Sequence, residues 1–244
     1  MSLIKSLLKI GVPLTVAAAA LAAAKMREMT APKKEKPRTD APIIVALGDS
    51  ITFGAGVVKT RASDSWESKL EKQLGGAYQV LNYGICGATL QNEGDMPYWN
   101  MPDKLCQGFP EAALALNPEI VILMLGTNDT KPYNWNRGRY EAQLDQRVKE
   151  ILAVPSVKRL ILMCPPFTCP VEGSEIVGYD IINETIRDEV NPIVKKCAAD
   201  NGVECIDLYA VTDGHSEYFD DGVHPNSFGN RVIATAIQKQ ILGQ

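Results

Sequence analysis

Five short apolar runs recur along this 244-residue chain: residues 43–47 (IIVAL), 79–85 (QVLNYGI), 119–125 (EIVILML), 157–163 (VKRLILM) and 203–209 (VECIDLY). Hydrophobicity within them is largely continuous rather than alternating. Strands built from such runs bury both faces, as in a parallel sheet covered on two sides. Between the runs lie amphipathic stretches of helical period, at 65–74, 138–153, 183–200 and 227–242. Strand and helix in alternation predict an α/β chain: a three-layer α/β/α sandwich with a five-stranded parallel sheet and right-handed crossovers. Ligands of such a sheet sit at the carboxyl ends of its strands. Chemistry is therefore expected in the segments that follow each run.

The length suits one folded domain, expected over residues 42–244. Ahead of it, residues 25–41 (KMREMTAPKKEKPRTDA) are charged, contain proline and lack hydrophobic periodicity, which reads as a tether. In residues 1–24, Lys5 and Lys9 precede an uncharged run from Ile10 to Ala24, about the length of a signal-peptide core and short for a membrane span. Cleavage after Ala24 and export to a periplasmic or secreted location is the simplest expectation. The basic residues that follow, Lys25 and Arg27 among them, favour the rival, an uncleaved signal anchor, which would be the chain's one contact with a membrane.

Charge is distributed unevenly. Residues 1–40 hold eight Lys/Arg and three Asp/Glu, leaving 17 of the 25 basic and 26 of the 29 acidic residues to the rest. A folded body that acidic repels phosphate backbones, so nucleic acid is not an expected partner. The six cysteines show no CxxC spacing. They read either as disulfides of an oxidising compartment or as small buried apolar residues.

Gly48-Asp49-Ser50 follows the first run, which places a hydroxyl at the carboxyl edge of the sheet. Taken alone, Asp-Ser after a strand is also a common turn or helix cap. Near the other end, Asp221 and His224 stand three residues apart, just before the last helical stretch. A carboxylate one turn from an imidazole can hold Nδ1–H and leave Nε2 to accept a serine proton. A neutral hydroxyl is a poor nucleophile and needs such a base. His215, the other of the two histidines, has Asp213 two residues away and reads as a surface residue. Acyl transfer also needs donors for an oxyanion. Gly87 after the second run offers a backbone N–H, and Asn128 after the third offers a side-chain amide.

Together these four segments resemble the SGNH/GDSL hydrolase family, from about Pro42 to the C-terminus. The resemblance implies a flavodoxin-like sheet of order 2-1-3-4-5 and a serine carboxylic-ester hydrolase without cofactor or metal. It makes Ser50 the nucleophile, Asp221 and His224 the orienter and base, and Ser50, Gly87 and Asn128 the oxyanion hole. The stretches GDSITFGAGV, GICGATL, LGTNDTKPYNW and DGVHPNSFG look closest to bacterial carbohydrate and sialic-acid acetylesterases. They imply a short-chain acyl, foremost acetyl, ester of a small molecule or saccharide as substrate.

Tyr98, Trp99, Tyr133 and Trp135 fall in the loops beside Gly87 and Asn128, where flat rings could cover a sugar face or pack beneath the loops. The rival functions are a lipid-directed esterase, lysophospholipase or thioesterase on the same triad, and a non-catalytic surface-binding module. A binding module has no need of nucleophile, base, orienter and two donors together.

Overall fold

In the computed structural model, residues 33–104 and 106–244 are described. The expected signal peptide or anchor and the first part of the tether lie outside them. Five strands form one all-parallel sheet: β1 Ile43–Gly48, β2 Gln79–Gly84, β3 Ile120–Met124, β4 Arg159–Cys164 and β5 Glu204–Asp207. Their order is β2-β1-β3-β4-β5. The chain steps outward from β1 to β2 and returns past β1 to β3, which opens a crevice at the carboxyl ends of these strands. Gly48 is in register with Gly84 on one side and Met124 on the other. The loops leaving β1, β2 and β3 therefore start level with one another.

The continuous apolar runs are explained by two cores, one on each face. Alternate side chains of a strand point to opposite faces. Val45, Leu47, Val121, Leu123, Leu160 and Leu162 join one core, whereas Ile44, Ala46, Ile120, Ile122, Ile161 and Met163 join the other. Full burial of each Val, Leu, Ile or Met side chain among them contributes roughly 1.5–3 kcal/mol.

The principal helices are α1 Ser50–Phe53, α2 Trp66–Gln73, α3 Phe109–Leu114, α4 Arg137–Leu152, α5 Asn191–Asn201, α6 Leu208–Thr212 and α7 Ser227–Leu242. The first core is closed by α3, α4 and α5 through Phe109, Leu144, Val148, Ile193 and Val194. The second is closed by α2 and α7 through Trp66, Leu70, Ile233 and Ile237.

The helical stretch expected at 183–200 is broken up. A helical turn at Asn183–Thr185 is followed by a π turn at Ile186–Val190, and only then by α5. Pro192 has no N–H to give to the carbonyl four residues back, so a regular helix cannot run through it.

Part of the segment read as a tether is seated on the sheet. Glu35 accepts from Asn82 N at 3.0 Å, and Tyr83 Oη donates to the Glu35 carbonyl at 2.7 Å. Arg38 N donates to Gln79 Oε1, and Gln79 Nε2 donates to the Thr39 and Ala41 carbonyls. Since β2 is an edge strand, these contacts cover backbone groups that would otherwise offer a template for another chain. All six cysteines are free thiols, four of them buried; Cys164 and Cys205 lie Sγ to Sγ at 4.0 Å on neighbouring strands.

Candidate active site

The turn from β1 into α1 sets the position of Ser50. Asp49 is the N-cap, its Oδ1 accepting from Ile51 N at 2.9 Å. Ser50 is thus the first residue of α1, and its N–H is among those a helix cannot satisfy internally. It is 7% exposed. Asp49 is fully buried beneath it, and burial pushes its carboxyl up to about 6 against the pull of the Ile51 N–H and of His224.

The loop before α7 brings the imidazole. Asp221 Oδ1 accepts from the backbone N–H of Val223 at 3.0 Å and of His224 at 2.7 Å, folding the Asp-Gly-Val-His segment into a tight turn. That turn carries Asp221 Oδ2 to 2.6 Å from His224 Nδ1, and His224 Nε2 lies 2.8 Å from Ser50 Oγ. Gly222 at its centre has φ 79, and a Cβ there would stand 2.0 Å from the Cys169 carbonyl oxygen. Only glycine fits both the conformation and the space. Burial works against ionisation of Asp221, but its hydrogen bonds to His224 and Val223 outweigh it and hold the carboxyl well below the usual carboxylate range. The imidazole therefore has a charged partner at any pH near neutral.

Gly87 lies in the loop after β2 with φ 82, a backbone region open to glycine at no cost. Asn128 follows β3, and its Nδ2 donates to the Ala88 carbonyl at 3.2 Å. Buried Asp129 ties these two loops together by accepting from Leu90 N and Gln91 N, each at 2.9 Å. Burial pushes its carboxyl up to about 6 even so. Ser50, Gly87, Asn128 and His224 share the lining of one cavity of about 210 Å³, with Lys131, Tyr179, Ile181 and Val223 among its other walls. A larger groove of about 440 Å³ between α4 and α5 is lined mainly by charged surface side chains such as Glu141, Lys149 and Asp200, and holds none of these groups.

The expected aromatic platform is not found at this cavity. Tyr98 is buried in the core, its hydroxyl donating to the Tyr83 carbonyl at 2.6 Å. Trp99 packs edge-on to Tyr98 under the Arg147 guanidinium, and Trp135 packs on Tyr140. Tyr133 is 61% exposed, beside Lys131. None of the four lines the cavity. The apolar space beneath the two loops takes up three of the rings, which is the packing alternative that sequence alone left open. His215 pairs with Glu217 at 2.8 Å and stacks on Tyr218. It makes no contact with Ser50.

Tyr179 is the reverse case. Nothing in its sequence neighbourhood marks it, yet its hydroxyl donates to Asp221 Oδ2 at 3.1 Å and its ring packs edge-on against His224, with centroids 5.2 Å apart. Lys131 is likewise unmarked in the sequence; its Nζ pairs with Asp95 at 3.3 Å at the edge of the cavity.

Sheet order and site geometry describe a doubly wound α/β protein with a hydrogen-bonded carboxylate–imidazole–hydroxyl chain at the carboxyl edge of its sheet. Residues 46–232 match the model of the GDSL-like lipase/acylhydrolase family, and the chain belongs to that family. An acetylxylan esterase from Xylanibacter ruminicola is 34% identical over 224 residues, 84% of this chain and 44% of that protein. This chain thus spans less than half the length of that relative. Among solved structures, a carbohydrate acetylesterase from Sinorhizobium meliloti superposes with TM-score 0.66 at 21% identity, covering 83% of this chain and 99% of that one. An aryl esterase from M. smegmatis does so with TM-score 0.67 at 23% identity, over the same shares. At these identities the likeness is one of fold.

Proposed function

We propose that this chain is a serine esterase that removes short acyl groups, acetyl foremost, from carbohydrate esters through an acyl-serine intermediate. The observation that carries the reading is the unbroken hydrogen-bond chain Asp221–His224–Ser50, at 2.6 and 2.8 Å, opening on a small cavity. In this scheme His224 Nε2 takes the Ser50 proton as Oγ attacks the ester carbonyl, and Asp221 stabilises the imidazolium. The N–H groups of Ser50 and Gly87 and the Asn128 amide receive the oxyanion. Collapse expels the alcohol with the proton from His224, and water then releases the acid by the same steps. A cavity of about 210 Å³ suits a short acyl group. The 34% identical relative is an acetylxylan esterase, which supports a carbohydrate ester as substrate.

A lipid-directed esterase is the second reading. It is favoured by exposed Val171 and Ile176, on the connection after β4 that also carries Ile181 of the cavity wall. Hydrolysis of p-nitrophenyl esters from acetyl to octanoyl, alongside acetylated xylo-oligosaccharides, separates the two. Activity is expected to be highest on acetyl and to fall steeply with chain length. A fluorophosphonate is expected to label the wild type and not Ser50→Ala, which keeps its fold and loses turnover. A profile rising toward octanoyl would replace the carbohydrate reading with the lipid one, and wild-type turnover in Ser50→Ala would remove the nucleophile.

Export of the domain belongs to the same proposal and is supported by the uncharged run from Ile10 to Ala24 behind Lys5 and Lys9. Among the described residues no helix is long and apolar enough to cross a membrane, and any membrane contact is assigned to a retained segment 1–24. N-terminal sequencing of the protein from its native host tests this, with a start near Lys25 expected and an intact Met1 in the membrane fraction against it.

A further inference from the structure

Tyr179 sits in the connection between β4 and α5, far in sequence from every residue of the proposed triad. Its backbone is in the left-handed region, φ 63 and ψ 22, and the next residue, Asp180, follows at φ 58. Two consecutive β-carbon-bearing residues in that region are held there against their own preference. The side chain is 58% exposed, so core packing does not account for the strain. What the conformation achieves is placement. The hydroxyl donates to Asp221 Oδ2 at 3.1 Å, the same oxygen that faces His224 Nδ1 at 2.6 Å. The ring meets the imidazole edge to face, with centroids 5.2 Å apart and planes at 75°. The ring also forms one wall of the Ser50 cavity.

The strand of chain that carries Tyr179 is fixed to the rest of the site at both sides. Cys169 N donates to the Gly222 carbonyl at 2.9 Å, and Ile182 N donates to Thr130 Oγ1 at 3.1 Å. Ile181 is buried against Val223. The loop after β4 is thereby coupled to the loop that holds Asp221 and His224.

We propose that Tyr179 is a positioning and specificity-determining residue of this site: its hydroxyl clamps the Asp221–His224 pair, and its ring limits the room for the acyl group. The assignment rests on the serine-esterase reading. Burial and the neighbouring Asp221 carboxylate push the phenol up, which keeps it a donor throughout the working pH range. The groups that face the imidazole are Asp221 from its own loop, buried Asp49 from the end of β1, and Tyr179, with Lys131 elsewhere on the cavity wall.

The hydroxyl draws charge from the carboxylate oxygen that His224 uses. Without it, that oxygen holds more negative charge and stabilises the imidazolium. Deprotonation of the base then needs a higher pH. Tyr179→Phe is accordingly expected to move the acidic limb of kcat to higher pH, and loss of the bond that holds Asp221 and His224 in line is expected to lower the plateau kcat by roughly ten- to a hundredfold, the range for one hydrogen bond to a charged group. KM and acyl-chain preference stay at wild-type values, because the ring remains. Tyr179→Ala is expected to show the same limb shift and, in addition, a raised ratio of hexanoyl to acetyl turnover, because a cavity wall is gone.

The experiment measures pH profiles and acyl-chain series on p-nitrophenyl esters for wild type, Tyr179→Phe and Tyr179→Ala, with thermal midpoints as a readout of folding. A Phe variant with the wild-type limb and kcat overturns the clamp. An Ala variant with the wild-type chain profile overturns the wall. A lowered midpoint with an unmoved limb and an unchanged chain profile makes the tyrosine structural and overturns both. A wild type inert to every ester and to fluorophosphonate overturns the esterase reading itself, an outcome distinct from the other three.

Discussion

Asn128 carries one amide with two N–H groups, and the Ala88 carbonyl engages that amide at 3.2 Å. The backbone contact fixes the side chain, and a second N–H remains for charge that develops on a substrate oxygen. Asn134 Nδ2 braces the residue further by donating to the Asn128 carbonyl at 3.0 Å. Asn128→Ala is therefore expected to lower kcat on the order of 10²- to 10³-fold with KM little changed, because the lost donor acts mainly in the transition state. Steady-state kinetics on p-nitrophenyl acetate decide it: a rise in KM at constant kcat would make Asn128 a ground-state contact. At this scale the sequence is most informative where chemistry demands a fixed local spacing. Asp221 and His224 are three apart because one turn must carry a carboxylate to an imidazole. Tyr179 has no such signature. It reaches Asp221 from 42 residues away, and only the path of the chain between β4 and α5 brings it there. Tyr98, Trp99 and Trp135 show the opposite limit: an aromatic in a loop near a site is equally suited to the apolar space beneath that loop, and the core claims it.

Among the elements, the strands are legible because each is buried on both faces, and burial leaves the same apolar mark at every position. The helices that cover them carry the 3.6 period for the same reason. Elements governed by the backbone rather than by burial are less legible. The π turn at Ile186–Val190 follows from a single missing N–H at Pro192, and the docking of residues 35–41 follows from the position of β2 at an edge, which no periodicity reveals. The tight turn between Asp221 and His224 also belongs to this group. Gly222 there has φ 79, and a methyl group would meet the Cys169 carbonyl at 2.0 Å. Gly222→Ala is expected to push the turn away from the loop after β4, to break the 2.9 Å bond from Cys169 N to the Gly222 carbonyl, and to destabilise the fold by about 1–3 kcal/mol. Because the same turn sets the His224–Ser50 distance, the variant should lose most turnover even at temperatures where circular dichroism reports it folded. Full turnover in a folded Gly222→Ala protein would show that the turn tolerates displacement.

At the scale of the whole molecule, several buried carboxyls make stability depend on pH in a way the formal charge of −4 does not convey. Glu67, on the first turn of α2, is 2% exposed, and neither carboxyl oxygen makes a hydrogen bond of good geometry among the described residues. Burial pushes its pKa from 4.5 up to about 8; nearby Arg61 and Ser65 pull the other way without matching it. A carboxyl raised in this manner binds its proton more tightly in the folded state than in the unfolded chain. Its contribution to stability is complete below about 4.5 and is lost progressively as the pH rises through about 8. Each tenfold difference in proton affinity between the two states is worth about 1.4 kcal/mol, so the loss amounts to a few kcal/mol. Asp49 and Asp129, each raised to about 6, add slopes of the same sign that end at lower pH. Glu67→Gln keeps the shape of the side chain and removes its titration, so the difference between variant and wild type isolates this one group. Thermal or urea unfolding at pH 5, 7 and 9 is expected to show the two proteins close together at pH 5 and the variant increasingly the more stable as the pH rises. Curves that stay parallel from pH 5 to 9 would mean that Glu67 is solvated or paired in solution, and that its burial does not govern the alkaline limit of the fold.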